Sequence, residues 1–346
     1  MKRNLFLNLS IIMALYFLAI FADFIAPLSP TQTPENKISY SPPIKVNFSV
    51  NQGFYFHPLV LKINEKDFSR TFKPNQNKIC KISFLSADSV KPYKLWNLIK
   101  LKIHFISSPN CPDSFNLLGT DKLGRDYLSR LIHGLRPGLF AGLIGILISF
   151  PLGVVYGTIA GYKSGAIGEF MMRLVEIILS LPTLYLLVAL AALLPASLSN
   201  MQRLLLITLL LSLIGWAGMA RIVRGQVLAI RNKDFVQAAY LMGKPTWKII
   251  IYDIIPQLSS YLIIALTLSF PSYILGETTL SFLGLGINQP DASLGNILSE
   301  GRELSNLFLR PWLAVGSSLI LILLTWCFNS LGDQLRDIFD VKEQSI

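Results

Sequence analysis

The chain has 346 residues, 52% of them hydrophobic and only 15% charged. Soluble domains carry about 25% charged residues, so this deficit, spread over several long apolar runs, excludes a single soluble core and points to a polytopic membrane protein. Much of the formal net charge of +11 gathers between residues 29 and 117. With no stacking platforms and no nucleic-acid module beside it, DNA and RNA are excluded as partners.

After Met1-Lys2-Arg3, an apolar run extends from about Leu5 to Leu28, long enough for the ~20 residues of helix that cross a bilayer. It ends in Asp23 and Pro27-Leu28-Ser29-Pro30 without an A-x-A site. Residues 1–28 are therefore expected to form a retained first transmembrane helix and not a cleaved signal peptide. Residues 29–117 change character, with period-two stretches such as Ile44-Lys45-Val46-Asn47-Phe48 and Lys78-Ile79-Cys80-Lys81-Ile82-Ser83-Phe84. Alternation of this kind predicts short β-strands, hence a small β-rich extracytoplasmic insert. Cys80 and Cys111 both fall in it, and in an oxidising compartment they are open either to bridging or to remaining two free thiols.

Over residues 118–136, Leu123, Tyr127, Leu128, Leu131, Ile132 and Leu135 share one helical face, and Arg125, Ser129, His133 and Arg136 the other. This pattern predicts an interfacial amphipathic helix, capped by Thr120 or Asp121 and ended by Pro137-Gly138. It serves equally as a plain anchor or as a gate. A transmembrane core over residues 137–335 follows, with spans expected near 138–161, 169–194, 203–222, 257–284 and 311–331, and then a tail at 336–346. With the first helix, about six spans result, an all-α polytopic fold carrying one β-rich insert. Pro151, Pro182 and Pro271 are tolerable inside spans because neighbouring helices satisfy the freed carbonyls. Gly134, Gly142, Gly145, Gly153, Gly157 and Gly161 suit close helix packing, and Arg173 with Glu176 suits a helical ion pair.

Orientation comes from the short loops. Arg221, Arg224, Arg231, Lys233, Lys244 and Lys248 face a single Asp234 in the 221–248 loop, whereas the 285–310 loop balances Arg302 and Arg310 against Asp291, Glu300 and Glu303. The positive-inside rule places the first loop in the cytoplasm and the second outside; by parity both termini are cytoplasmic and the insert is exported.

The most informative stretch is Asp234-Phe235-Val236-Gln237-Ala238-Ala239-Tyr240-Leu241-Met242-Gly243, leading on to Ile254-Ile255-Pro256 within the 224–256 loop. It predicts a short helix stopped by Gly243, whose backbone freedom exceeds that of other residues, and a new helix started after Pro245. Ala238 and Ala239 leave room for another protein surface. This loop resembles the EAA signature of ABC-importer permeases, in which a coupling helix sits in a cleft of the ATPase subunit. Leu118-Gly119-Thr120-Asp121-Lys122-Leu123-Gly124-Arg125-Asp126 resembles the LGTDxxGRD stretch of the same proteins. Glu277-Thr278-Thr279-Leu280-Ser281-Phe282-Leu283-Gly284-Leu285-Gly286 resembles their fifth-span ending, and Asn329-Ser330-Leu331-Gly332-Asp333-Gln334-Leu335-Arg336-Asp337 their C-terminal close. Four motifs in order point to the dipeptide, oligopeptide and nickel permease family, C-type subunit. Two departures stand out: Gln237 replaces the first Glu of the signature, which removes a charge-assisted bond, and the insert is longer than in simple members.

The resemblance implies a permease subunit of an ATP-driven importer in a bacterial-type inner membrane, moving peptides or, alternatively, nickel or another small solute. A reading from another class is a membrane-anchored scaffold with an extracellular binding domain. The implied partners are a homologous B-type permease, two cytoplasmic ATPases that bind ATP and magnesium, an extracytoplasmic solute-binding protein and the lipid bilayer. No cofactor and no catalysis are expected on this chain: Gly243-Lys244 lacks the rest of a phosphate-binding loop, and His57, His104 and His133 are scattered, so no metal site is expected either. The coupling role falls to Gln237, Ala238, Ala239, Gly243 and Pro256. Arg125, Asp126 and Glu277 are candidates for a gate or path; for Glu277, an intramembrane carboxylate, a structural hydrogen bond to Thr278, Thr279 or Ser281 is the competing reading.

Overall fold

A computed structural model describes all residues except 1, 32, 34–37, 64–69, 87–92, 96–98, 102, 164 and 345–346. Lys37, Lys66, Lys91 and Lys102 of the basic segment lie outside the described residues. The chain forms two compact units, Met1–Ile12 with Phe140–Leu280 and Leu323–Ile346, and Met13–Leu139 with Ser281–Ile322.

Helix α1 (Lys2–Ile20) is followed after one turn by the short α2 (Ala22–Ile25). Among the described residues, the insert is built from nine short strands. β1 (Val46–Ser49), β2 (Gly53–Phe56) and β5 (Cys80–Lys81) form an antiparallel sheet, and β3 (Leu59–Ile63) pairs with β4 (Arg70–Pro74). β6 (Ser83–Ser86) pairs with β9 (His104–Ser107), and β7 (Tyr93–Leu95) with β8 (Ile99–Leu101). Its core is small: Ile44, Phe56, Cys80, Cys111 and Phe115 are buried together, with the Phe56 and Phe115 rings 5.5 Å apart. Cys80 and Cys111 are joined by a disulfide in the middle of that cluster.

The expected helix over 118–136 forms only from Tyr127 onward. Residues 118–126 turn instead, with Gly119 and Gly124 at φ +83° and +77°, a region closed to most side chains. The Asp121 carboxylate holds the turn by accepting from the backbone N–H of Leu123 and of Arg125 (2.8 and 2.9 Å), a local bond that competes with helix. Helix α3 (Tyr127–Tyr162) begins later and runs straight through Pro137 and Pro151. Its cap is Asp126, not Thr120 or Asp121: Asp126 Oδ2 accepts from the N–H and the hydroxyl of Ser129 (2.7 and 2.6 Å).

The expected 169–194 span is two helices, α4 (Ala166–Ser180) and α5 (Thr183–Ala192), bent by 78°. Leu181 is driven into extended backbone (ψ 133°) ahead of Pro182, as the ring of a following proline requires. Helix α6 (Asn200–Ile230) starts in a Ser199–Gln202 capping box. After α7 (Asp234–Leu241) comes α8 (Thr246–Ile249), which passes through a π turn at Ile250–Ile254 into α9 (Ile255–Phe282). Short helices α10 (Leu294–Gly301) and α11 (Leu304–Leu309) precede α12 (Trp312–Gln344). Among the described residues four helices are long and apolar enough to cross a membrane, and the α4–α5 pair makes a fifth if taken as one broken span. The apolar stretch Leu5–Ile20 is shorter.

A glycine seam joins α3 to α6. An added Cβ at Gly153, Gly157 or Gly161 would lie 2.5–2.8 Å from Met219, Ala220 or Val227, so only hydrogen fits and the helices pack backbone to backbone.

The disulfide spans 31 residues, and closing a loop of that size stabilises by about 3 kcal/mol. Replacing both Cys80 and Cys111 by Ala is expected to lower the local stability of the insert by that order while leaving the α3–α6 helices as protected as before. Hydrogen exchange read segment by segment checks it; equal protection of the insert in wild type and variant contradicts it.

Candidate coupling elbow and translocation cavity

The sequence placed a docking helix at α7, and the elbow around it is well defined. Its C-terminus is a Schellman motif: Lys244 N–H reaches Ala239 O (3.1 Å) and Gly243 N–H reaches Tyr240 O (3.0 Å), with Gly243 at φ +76°. Beyond it, Lys244 Nζ bonds both oxygens of Asp253 (2.9 and 2.6 Å), so the turn is pinned to the start of the next helix. Pro256 has no N–H to give Tyr252, and the preceding turn widens so that Ile255 N–H reaches Ile250 O, five residues back. Gln237 Nε2 donates to Arg231 O (3.0 Å), closing the turn that leads into α7.

The two alanines of the signature divide between faces. Ala238 is exposed, whereas Ala239 is only 5% exposed and packs with Val236, Val223, Val227, Ile230, Ile249, Ile254 and Leu258. The expectation that both alanines face outward is corrected for Ala239, which ties α7 to the core of its own unit. The outward surface is apolar instead: Leu241 is 81% exposed and Met242 78%, beside exposed Phe235, Tyr240, Trp247, Ile251 and Tyr252. Sequence reasoning missed this surface because each residue also reads as ordinary helix filling.

In the same unit, α3, α5, α6 and α9 enclose a cavity of 680 Å³. Leucines are its commonest lining residue, and the polar side chains are the hydroxyls of Ser149, Thr183, Tyr261, Ser269, Ser272, Tyr273 and Thr279. The Tyr273 ring lies in a slot where a Cβ at Gly145 or Gly215 would come within 2.4 Å of it, and its hydroxyl donates to Ser149 Oγ (2.5 Å). Glu277 is buried on α9, on the turn that gives Gly276 and Thr279 to the cavity, but does not itself line it. Of its proposed structural partners, Thr279 donates its hydroxyl to Leu275 O (2.7 Å).

Arg125 and Asp126 belong to the other unit, in a buried charge cluster. Arg125 Nε meets Asp121 Oδ2 (2.6 Å), and Arg130 bridges Asp121 and Glu300, the latter at 2.8 Å. Gln289 and Asn296 complete it: Gln289 donates to Glu300 (2.9 Å) and Arg130 to Asn296 (3.4 Å). Glu300, which counts in the sequence only as a loop charge, is thus an internal ion-pair partner. Two arginines against two carboxylates offset the desolvation that either sign alone makes prohibitive. Asp126 stands apart from the arginines; burial, reinforced by the Asp121 charge and opposed by the Ser129 bonds, pushes its carboxyl up to about 7. Arg173 and Glu176 form the expected exposed pair (3.0 Å).

A carboxyl held above its ordinary range favours the folded state while protonated, so its contribution is present below about 4 and lost as pH rises through about 7. Asp126→Asn keeps an acceptor for Ser129 and is expected to flatten that part of the stability profile, measured by thermal unfolding from pH 4 to 8. Asp126→Ala loses the cap as well, at about 1 kcal/mol. Parallel profiles for wild type and Asp126→Asn contradict the assignment.

Residues 153–343 match the family model for the binding-protein-dependent transport system inner membrane component. The chain is 38% identical over 249 residues to the oligopeptide transport system permease protein OppC of Haemophilus influenzae, covering 72% of this chain and 75% of that one. It is 40% identical over 232 residues to the dipeptide transport system permease protein DppC of Bacillus subtilis, covering 67% and 70%. By the match over residues 153–343 and these two relatives, the chain belongs to the family of binding-protein-dependent transport system inner membrane components.

Proposed function

We propose that this chain is the permease subunit of an ATP-driven importer of peptides, coupled to its ATPase through the α7 elbow. The observation that carries the coupling is the exposed apolar surface of Phe235, Tyr240, Leu241, Met242 and Trp247 on a turn pinned by Lys244 and Asp253. Contiguous exposed apolar surface in a polar loop marks a partner site, and a pinned elbow transmits a push to α9 instead of absorbing it. The partners in this reading are a homologous B-type permease, two cytoplasmic ATPases carrying ATP and magnesium, and an extracytoplasmic binding protein. ATP chemistry belongs to those ATPases. The basic elbow lies in the cytoplasm together with both termini, and the insert lies outside.

Peptide is favoured over nickel by the relatives named for oligopeptide and dipeptide transport and by the cavity, whose wall, among the described residues, offers hydroxyls and no histidine, cysteine or carboxylate. Arg125 and Asp126 frame the α3 entrance by fixing the 118–130 turn, and Glu277 sets the α9 wall from behind.

Leu241→Asp with Met242→Asp changes two exposed side chains, so insertion and folding are expected to stay intact. Affinity for the ATPase subunits is expected to fall at least about tenfold, equivalent to 1.4 kcal/mol, and solute-stimulated ATP hydrolysis and peptide uptake to fall with it. Ala239→Asp, by contrast, buries a charge in the chain's own core and is expected to lower the stability of the elbow first. Pull-down and uptake in reconstituted vesicles read both; unchanged ATPase binding by the double variant ends the coupling assignment. Uptake of nickel in preference to tripeptides overturns the substrate.

A further inference from the structure

The insert is the part of the chain that the family match, which begins at residue 153, leaves without a role. Its β6–β9 pair is fastened to the end of the first helix. β9 packs on α2, His104 Nδ1 lies 3.1 Å from Ala26 O, and the Phe24 and Phe105 rings are 6.1 Å apart. His104 of β9 is buried, and Phe105, on the opposite face of the strand, is exposed. Exposed apolar side chains gather here: Phe84 is 53% exposed, Leu85 61%, Ile103 44% and Phe105 41%. The rings form a continuous line, Phe105 to Phe84 at 6.3 Å and Phe84 to Phe54 at 6.2 Å. Leu85 holds φ +52°, a costly backbone for a leucine, and it does so at one of the most exposed apolar positions of the insert.

On the other side of α2, Met13, Phe17 and Ile20 of α1 and the following Phe21 are exposed, with the Phe17 and Phe21 rings tilted against each other at 4.7 Å. The segment around it is basic, eleven lysines and one arginine against five carboxylates over residues 29–117, and Lys78 and Lys81 stand exposed just before β6. Apolar side chains flanked by lysines at the end of a membrane helix match a bilayer surface with acidic headgroups better than they match water.

We propose that the β6–β9 pair is a lipid-contacting foot, whose Phe84, Leu85, Ile103 and Phe105 enter the headgroup layer of an anionic bilayer where α1 leaves it. The foot holds the insert against the membrane instead of letting it swing free, so the 118–126 turn that follows is presented at a fixed height. The inference rests on α1 being a membrane helix.

The test uses the full chain with Cys327→Ser, in nanodiscs of phosphatidylglycerol and phosphatidylethanolamine, spin-labelled at Phe84→Cys, Phe105→Cys, Phe17→Cys or Val50→Cys. Labels at Phe84 and Phe105 are expected to relax severalfold more with dissolved oxygen than with an aqueous nickel chelate, as at Phe17. The label at Val50, at the β1–β2 turn, is expected to show the reverse. Exchanging phosphatidylglycerol for phosphatidylcholine is expected to bring the two foot labels closer to water. Where Phe84→Cys does not accumulate, Leu85→Cys replaces it. Foot labels that see the chelate while Phe17 sees oxygen overturn the foot alone. Foot labels shielded from both reagents mark a protein as the occupant and overturn it too. A Phe17 label in water removes the membrane reading of α1 and the proposal together.

Discussion

A hydrocarbon layer offers no partner to a backbone N–H, a hydroxyl or a charge, so each must be met from within the chain. That constraint explains much of the architecture. The hydroxyls of the spanning helices turn back onto their own carbonyls: Thr158 on Val154, Thr208 on Leu204, Ser212 on Thr208, Thr267 on Ile263 and Ser269 on Ala265. Where proline removes a donor, the helix adapts according to what surrounds the gap. Before Pro256 it widens into a π turn; at Pro182 it breaks. Of the buried charges, Asp121, Arg125, Arg130 and Glu300 stand together at and before the start of α3, where each has an opposite partner.

The same rule makes the elbow conspicuous. A turn that follows it buries Val236, Ala239, Ile249 and Ile254 on one side and presents charge to water on the other. Here the first half holds and the second does not, since Leu241 and Met242 sit at the tip with Tyr240 and Trp247 beside them. The tip is not loosely held, either. The Schellman bonds and the Lys244–Asp253 pair fix it with local interactions that need no partner to form. Rigid presentation lowers the ordering cost of docking, which suits the coupling contact proposed for it.

Much of this was legible in the residues and some was not, for identifiable reasons. Long apolar runs and Gly243 announced the spans and the stop of α7, because length and positive φ are strong local signals. The first part of the 118–136 helix was misread: its apolar periodicity is real, but the Asp121 carboxylate accepts from the backbone N–H of Leu123 and Arg125, and two glycines in left-handed conformation hold the turn. A cap at Asp126 in place of Thr120 or Asp121 moved the start of α3 to Tyr127, and Pro137 was absorbed into a helix it was expected to end. Glu300 and Arg130 are 170 residues apart, and no local pattern links them. Ala239 shows the limit of motif reading: a signature names the residues of a docking element without saying which of them face the partner and which hold the element to its own fold.

Gln237 illustrates how that division bears on function. A glutamate at this position cannot donate, so the hydrogen bond that Gln237 gives to Arg231 O would be replaced by two oxygens facing each other. The side chain of Arg231 is close by in sequence and already committed, its guanidinium reaching Gly161 O at 3.3 Å. A carboxylate would draw that guanidinium away from α3, exchanging a bond between helices for one within the loop. Glutamine instead leaves Arg231 holding the end of α3 and closes the turn with a neutral bond. The departure from the signature therefore favours attachment of the elbow to its own unit over charge on its surface. In the proposed coupling role, docking falls to the apolar tip, where salt has little to screen.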